Sequence, residues 1–154
     1  MLKLANLERL LLSLWTGIMI GVGYIAAPVL FKSLDDRSLA GSLAGQMFEL
    51  VSIIGLICGG ILLALRYKDV SIDLFRQWRG LVLLLMLVLV AVSVFVIQPM
   101  MGDLKAMGIT PGSDAAKQFG MLHGVSSILY TVTVISGCVL IFAGLKKETR
   151  SDFT

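Results

Sequence analysis

Four long apolar stretches constrain the fold of this 154-residue chain more than any other feature. They run from Leu10 to Phe31, from Gly45 to Leu65, from Gly80 to Met101 and from Phe119 to Leu145. About 20 residues of α-helix cross a hydrocarbon layer of roughly 30 Å, so each stretch is long enough to span a membrane. Hydrophobic residues make up 57% of the chain and charged residues 15%, whereas a soluble domain is about a quarter charged. We therefore expect one all-α integral-membrane domain over residues 1–154.

The helix boundaries predicted from these stretches are 7–31, 45–66, 79–101 and 118–145. Lysine and arginine flank the helices unevenly, and cytoplasmic flanks are enriched in basic residues. Nine basic residues lie on the side of the two termini and the middle loop, and four lie on the opposite side. The sequence thus predicts a multi-pass, four-helix bundle of a cell inner membrane, with its N and C termini cytoplasmic.

The two halves of the chain resemble each other in outline. In each half, an outward helix ends near a proline, Pro28 or Pro99, and a polar linker follows. The return helix then begins near a glutamine, Gln46 in the first half and Gln118 in the second. Transporters built from parallel repeats show this kind of pattern. We therefore expect a pseudo-repeat of two helical hairpins.

Glycines recur one helical turn apart at Gly17 and Gly21 in the first helix and at Gly55 and Gly59 in the second. In lipid, small residues at this spacing let helix backbones approach closely. We expect Gly124, in the last helix, to admit a neighbouring helix in the same way. Such faces fit packing within the bundle or a contact between two copies, and the sequence leaves both open.

Four polar residues, one from each helix, fall near the outer ends of the apolar stretches: Tyr24, Glu49, Gln98 and His123. Polar groups within a bilayer are costly and usually face the bundle interior, so we expect a polar cluster there, with His123 facing inward. Contact between His123 and Glu49 would make the cluster sensitive to pH near neutrality. Two simpler interpretations stay open: Glu49 lies among the headgroups, or His123 is only a structural link between helices.

Methionines lie at a similar depth to the histidine and raise the question of a metal. Thioether and imidazole groups together suit Cu(I), so His123, Met121 and Met100 are candidate ligands, although methionine is also a common filler of membrane helices. A haem would need His–Met ligation or a symmetric dimer, because the chain has one histidine. The sequence requires no cofactor, and copper and haem are the two that its residues allow. It has no catalytic set, no phosphate loop and no basic cluster, so we expect neither an enzyme nor a nucleic-acid partner.

Two segments carry a resemblance to a known family: LWTGIMIGVGYIAAPVLF, residues 14–31, and FGMLHGVSS, residues 119–127. They resemble a family of bacterial integral-membrane proteins of unassigned function, which groups with eukaryotic transmembrane protein 205. More distantly, the family is similar to the CopD copper-resistance membrane domain. The resemblance implies a four-helix membrane protein and draws attention to His123 and Gly124. One residue departs from it: an asparagine is expected at Tyr130, so any hydrogen bond of that amide must be remade or lost.

Two functions remain open from the sequence. The first is handling of a small solute or a copper-type metal through an outer-leaflet polar site. The second is a non-catalytic structural or accessory subunit that packs against a larger membrane complex, or against a second copy, through its glycine faces. Both require the lipid bilayer as a partner.

Overall fold

A computed structural model describes residues 2–70 and 77–143 of the chain, and this part contains four long helices and no strand. Helix α1 comprises Leu2–Ile20, a π-helical segment Gly21–Ala26, and Ala27–Ser33; helix α2 is Arg37–Val70. Helix α3 comprises Trp78–Val92, a π-helical segment Ser93–Ile97, and Gln98–Ala106; helix α4 is Asp114–Ala143. All four are long and apolar enough to cross a membrane, which confirms the predicted four-helix, all-α architecture. The last two residues of the predicted helix 118–145 lie outside the described residues.

Helix α2 begins at Arg37, eight residues before the predicted boundary at 45. The Asp36 side chain accepts hydrogen bonds from the backbone N–H groups of Ser38, at 2.8 Å, and Leu39, at 3.1 Å. These two bonds cap the helix by satisfying N–H groups that have no partner within it. Ala40, in the first turn, is fully buried. The segment that the sequence assigns to a polar linker is therefore two packed turns of helix.

The prolines of α1 and α3 lie inside continuous helices and do not end them. Proline has no N–H group, and its ring crowds the carbonyl four residues earlier. In both helices the residue before the proline donates its N–H to the carbonyl five residues earlier: Ala27 to Val22, and Gln98 to Ser93. This wider π-helical turn accommodates the proline, so both helices continue beyond the predicted ends.

Each helix packs against the next along the chain, and α4 packs against α1 to close the bundle. The core lies along its axis and comprises Leu12, Trp15, Met19, Val51, Leu62, Leu83, Met86, Val90, Val134 and Leu140. Between 22% and 28% of the most apolar window of each helix is buried inside the bundle. Most of the apolar surface therefore faces outward, as a lipid-facing surface does.

The two hairpins repeat each other's contacts, as an internal two-fold relation requires. Between α1 and α3, counterparts differ by 71 in number: the buried residues Leu12, Trp15 and Met19 correspond to the buried residues Leu83, Met86 and Val90. Pro28 and Pro99 also differ by 71 in number, and so do Ala26 and Ile97, the last residues of the two π-helical segments. The two proline-containing helices α1 and α3 are thus two equivalent packing elements.

Helices α2 and α4 are related by two close contacts at glycine. Each glycine faces one residue of α1 and one of α3, and the contacts are counterparts: Gly59 with Trp15 and Leu87, Gly137 with Met86 and Thr16. Gly59 therefore corresponds to Gly137, a difference of 78, and Leu62 corresponds to Leu140 in the same way. Gln46 and Gln118 differ by 72 in number, so they are not counterparts in this packing relation.

Candidate functional site

The four polar residues predicted to cluster do not come together. Gln98 is half-buried and lines the interior, whereas Tyr24, Glu49 and His123 are exposed. The His123 ring stacks on Phe119 of its own helix, with the ring centroids 6.4 Å apart. The expected inward orientation of His123 is therefore corrected, because the side chain lies outside the packed interior.

A hydrogen bond between polar side chains does link two helices near these residues, but Tyr24 and not His123 makes it. The Tyr24 hydroxyl donates a hydrogen bond to Thr131 Oγ1 at 3.0 Å and so joins α1 to α4. Thr131 in turn donates to the carbonyl of Ser127 at 2.9 Å. The structural role expected of the histidine is thus taken by a tyrosine and a threonine.

The candidate metal ligands do not converge. Met121 and His123 are two positions apart on one helix, so their side chains point in nearly opposite directions. Met100 lies on α3, and 49% of its surface is exposed, against 65% for Met121. Within residues 2–70 and 77–143, no group of three histidine, cysteine, aspartate or glutamate side chains is arranged to hold a metal ion.

The glycines divide into two groups. Gly55 and Gly59 are buried where α1 packs on α2: a Cβ at Gly55 would lie 2.5 Å from Trp15 Nε1. Gly17, Gly21 and Gly124 have no atom within 4 Å of a Cβ position and face no neighbouring helix. The first pair therefore packs the bundle as predicted, and the other three do not.

A polar cavity lies between the four helices, towards the end of the bundle where α1 connects to α2 and α3 to α4. Its lining residues are Trp15, Met19, Phe48, Val51, Ser52, Val90, Ser93, Gln98, Ser126, Tyr130 and Thr133. On α4 the lining runs from Ser126 to Thr133, which is about 10 Å along the axis. The volume open to the centre of a water molecule is about 30 Å³. One water needs roughly 10–15 Å³ of such volume, so about two fit.

Three hydroxyl groups of the cavity are already committed as donors. Ser52 donates to the carbonyl of Phe48 at 2.7 Å, and Thr133 donates to that of Leu129 at 2.8 Å. The third, Tyr130, donates to a carbonyl of another helix. Since a hydroxyl oxygen keeps lone pairs after donating, these groups offer acceptors to the cavity.

Other polar groups of the cavity have no partner in the described part of the chain. The hydroxyls of Ser93 and Ser126 and the amide of Gln98 are in this position. The indole N–H of Trp15 has no acceptor either, but Nε1 is packed against Gly55 between α1 and α2 and is not open to the cavity. No lining residue carries a formal charge, so the site offers only neutral hydroxyl and amide groups.

Tyr130 closes one side of the cavity by reaching into the π-helical segment of α1. Its hydroxyl donates to the carbonyl of Met19 at 2.6 Å, and the N–H of Gly23 faces the oxygen of this hydroxyl. Its ring lies so close to Gly23 that a Cβ there would be 2.5 Å from Tyr130 Cε1, and it meets Phe48 edge-on. The Tyr130 phenol thus ties α4 to α1 at this position.

Sequence reasoning missed most of this site. Ser52, Ser93, Ser126 and Thr133 are small hydroxyl residues that bilayer helices tolerate singly, so none stands out in the sequence. One signal in the sequence is Gly23. It lies two residues after Gly21 in the same helix, so it is not part of the pattern of glycines one turn apart. Its role depends on Tyr130, more than a hundred residues away, and only the packing brings the two together.

One comparison with known proteins gives a match. Residues 10–110 match the model of a family described as a domain of unknown function, DUF4149. No curated protein and no solved structure matches the chain. The matched segment covers most of α1, all of α2 as described, and α3; it ends before Tyr130 and His123. Because it spans about two thirds of the sequence, the chain belongs to the DUF4149 family.

Proposed function

We propose that this chain is a multi-pass protein of a cell inner membrane that binds a small, uncharged solute in the polar cavity of its bundle. The observation that carries the proposal is a cavity between the four helices lined by neutral hydroxyl and amide groups, among them Ser93, Ser126 and Gln98. The amide N–H groups of Gln98 can donate to a solute that has a hydrogen-bond acceptor. The lining hydroxyls then accept whatever donors the solute brings. A charged solute has no counter-charge among the lining residues, which favours a neutral one.

The position of the cavity favours entry from the outer face. Gln98 lies at its outer end, and the inner half of the bundle is filled by Leu12, Leu62 and Leu140, each at most 1% exposed. We therefore propose an outward-facing binding site with a closed inner half. Kinship with transmembrane protein 205 and CopD is part of the proposal and rests on residues 14–31 and 119–127. Copper handling lacks support from His123, Met121 and Met100, because their exposed side chains point apart.

Trp15 provides a direct test. In a Trp78→Phe variant Trp15 is the sole tryptophan, so the indole region of a ¹⁵N–¹H spectrum contains one signal. Because the Trp15 side chain lines the cavity, we expect this signal to shift saturably with formamide. Thr133→Val keeps the shape of a lining residue but removes its hydroxyl, and should weaken the formamide response severalfold. A signal that does not respond to formamide would show a dry structural void and reject the proposal.

A second candidate function, an accessory subunit, is favoured by the exposed glycines. Gly120 and Gly124 lie one turn apart on α4, are exposed, and have no atom within 4 Å of a Cβ position. In membranes such a face permits close approach of another helix. Glu49 and His123 are exposed in the same outer region, where polar groups benefit from a protein neighbour.

Replacing Gly124 by leucine tests this second function. Because the position is open in the bundle, we expect the variant to fold like the natural chain while losing association with any larger complex. The measurement is the mass of the particle extracted in mild detergent, by light scattering. Ala115→Leu, at a half-buried position near the start of α4, is a size-matched control outside this face. An unchanged particle mass in the Gly124→Leu variant would count against association through α4.

A further inference from the structure

The internal two-fold relation assigns a counterpart to most groups of the cavity. Met19 corresponds to Val90 at the difference of 71, and both line the cavity. Ser52 corresponds to Tyr130 at the difference of 78, and both line it as well. The cavity therefore has two halves built from equivalent backbone positions. One half lies between α4 and α1, and the other lies between α2 and α3.

The two halves are filled differently. Between α4 and α1, the Tyr130 hydroxyl crosses to the carbonyl of Met19. Between α2 and α3, the counterpart Ser52 is too short to cross, and its hydroxyl donates to the carbonyl of Phe48 in its own helix. The carbonyl of Val90, the counterpart of the Met19 carbonyl, receives no side-chain hydrogen bond from the described residues. It shares the N–H of Ser93 with the carbonyl of Leu89.

The main-chain carbonyl of Val90 can accept a hydrogen bond from a hydroxyl group in the cavity. A carbonyl oxygen has two lone pairs, so a carbonyl that accepts a backbone N–H can also accept a hydroxyl donor. The nearby Ser93 hydroxyl, which also lines the cavity, has no partner in the described chain and can accept or donate. On the α1 side the protein itself supplies the hydroxyl for the equivalent carbonyl.

We infer that the bound solute carries a hydroxyl group that donates to the main-chain carbonyl of Val90, as the Tyr130 hydroxyl donates to that of Met19. The inference rests on the proposed function and adds the ligand class, a short neutral alcohol, and its position between α2 and α3. The volume of about 30 Å³ limits the part of the solute inside the cavity to about two water-sized groups.

The sequence permits an unambiguous spectroscopic test. Val90–Ala91 is the sole Val–Ala pair in the chain, and Met19–Ile20 is the sole Met–Ile pair. Labelling valine with ¹³C at the carbonyl and alanine with ¹⁵N therefore gives one cross-peak for the Val90 carbonyl. The corresponding methionine and isoleucine labels give one for Met19. Methanol should shift the Val90 carbonyl signal saturably and leave the Met19 signal unchanged, while acetonitrile, equally small but without a donor, should shift neither.

Variants of the α2–α3 half provide the matched controls. Ser52→Tyr combined with Val94→Gly reproduces on this side the Tyr130–Gly23 contact, and should shift the Val90 signal without methanol and abolish its response. Ser52→Ala keeps the space and should keep the response. If the double variant does not fold, Ser52→Leu fills the same space without a hydroxyl and should also abolish it.

The remaining outcomes overturn the inference. Equal shifts at Val90 and Met19, or equal effects of methanol and acetonitrile, would mark a general solvent effect. A D₂O isotope shift at Val90 without a methanol response would identify water as the only occupant. A formamide response at Trp15 combined with a silent Val90 carbonyl would reject the inference and leave the proposed function standing. No response at either residue would reject both.

Discussion

Replacing Gly23 by alanine is expected to destabilise the bundle, although alanine is the better helix former. In a helix interior the change from glycine to alanine gains roughly 0.5–1 kcal/mol. At Gly23 the new Cβ would lie 2.5 Å from Tyr130 Cε1, so the ring must move and weaken its hydrogen bond to Met19. Overpacking costs about 1–3 kcal/mol and a lost hydrogen bond about 1 kcal/mol, which outweighs the gain. We expect a net loss of about 1–3 kcal/mol in the free energy of unfolding.

Gly21 is the matched control, because it lies in the same π-helical segment with no atom within 4 Å of its Cβ position. Gly21→Ala should therefore leave the stability unchanged or raise it. Both variants can be compared by unfolding in mixed detergent micelles with increasing SDS. Equal stabilities for the two variants would mean that Tyr130 does not pack on Gly23, and the account of the cavity wall would fail.

Replacing Gly137 by alanine is expected to have a similarly large effect at the centre of the bundle. A Cβ at this position would collide with Thr16 Oγ1 and press on Met86, both of which are buried. Backbones of α1 and α4 meet here, so neither side chain has free space to move into. We expect a loss of about 1–3 kcal/mol in the free energy of unfolding. Gly59→Ala, at the counterpart position against Leu87 and Trp15, should lose a similar amount.

A double-mutant cycle tests the cause of this loss. Thr16 Oγ1 is buried without a hydrogen-bond partner, so Thr16→Ala removes both the collision and an unsatisfied group. It should restore most of the stability lost in Gly137→Ala, as measured by the same SDS unfolding. Gly124→Ala, on the same helix in an open position, should show no loss. If Thr16→Ala gives no rescue, the contact between these two residues does not limit the packing of α1 on α4.

Length and hydropathy were enough to predict the four helices, because the bilayer imposes both. The helix start at Arg37 was missed because a polar segment looks like a loop until Asp36 caps it and Ala40 finds a place to pack. The position of each polar residue along its helix also follows from the sequence. The direction of its side chain around the helix does not, since it depends on which neighbours pack on each side.

For the site as well, the sequence indicates where a residue lies along its helix but not which way its side chain points. Gln98 and His123 are similar in predicted depth, yet Gln98 lines the cavity and His123 is exposed. The indole N–H of Trp15 could not be identified as unpaired, because that property belongs to the whole environment. Weak cues such as the paired prolines were more informative than the single histidine, since they reported the repeat that organises the packing.

The differing filling of the two cavity halves has a consequence for how such a chain can diverge after duplication. One half combines Gly23 with Tyr130, and the other combines Val94 with Ser52, so a large residue on one helix is matched by a small one on its neighbour. A half with two large residues cannot close, whereas a half with two small ones has only a larger void. Descent from a common hairpin would therefore pass through the small–small combination, and substitutions at one position of each pair should depend on the history of the other.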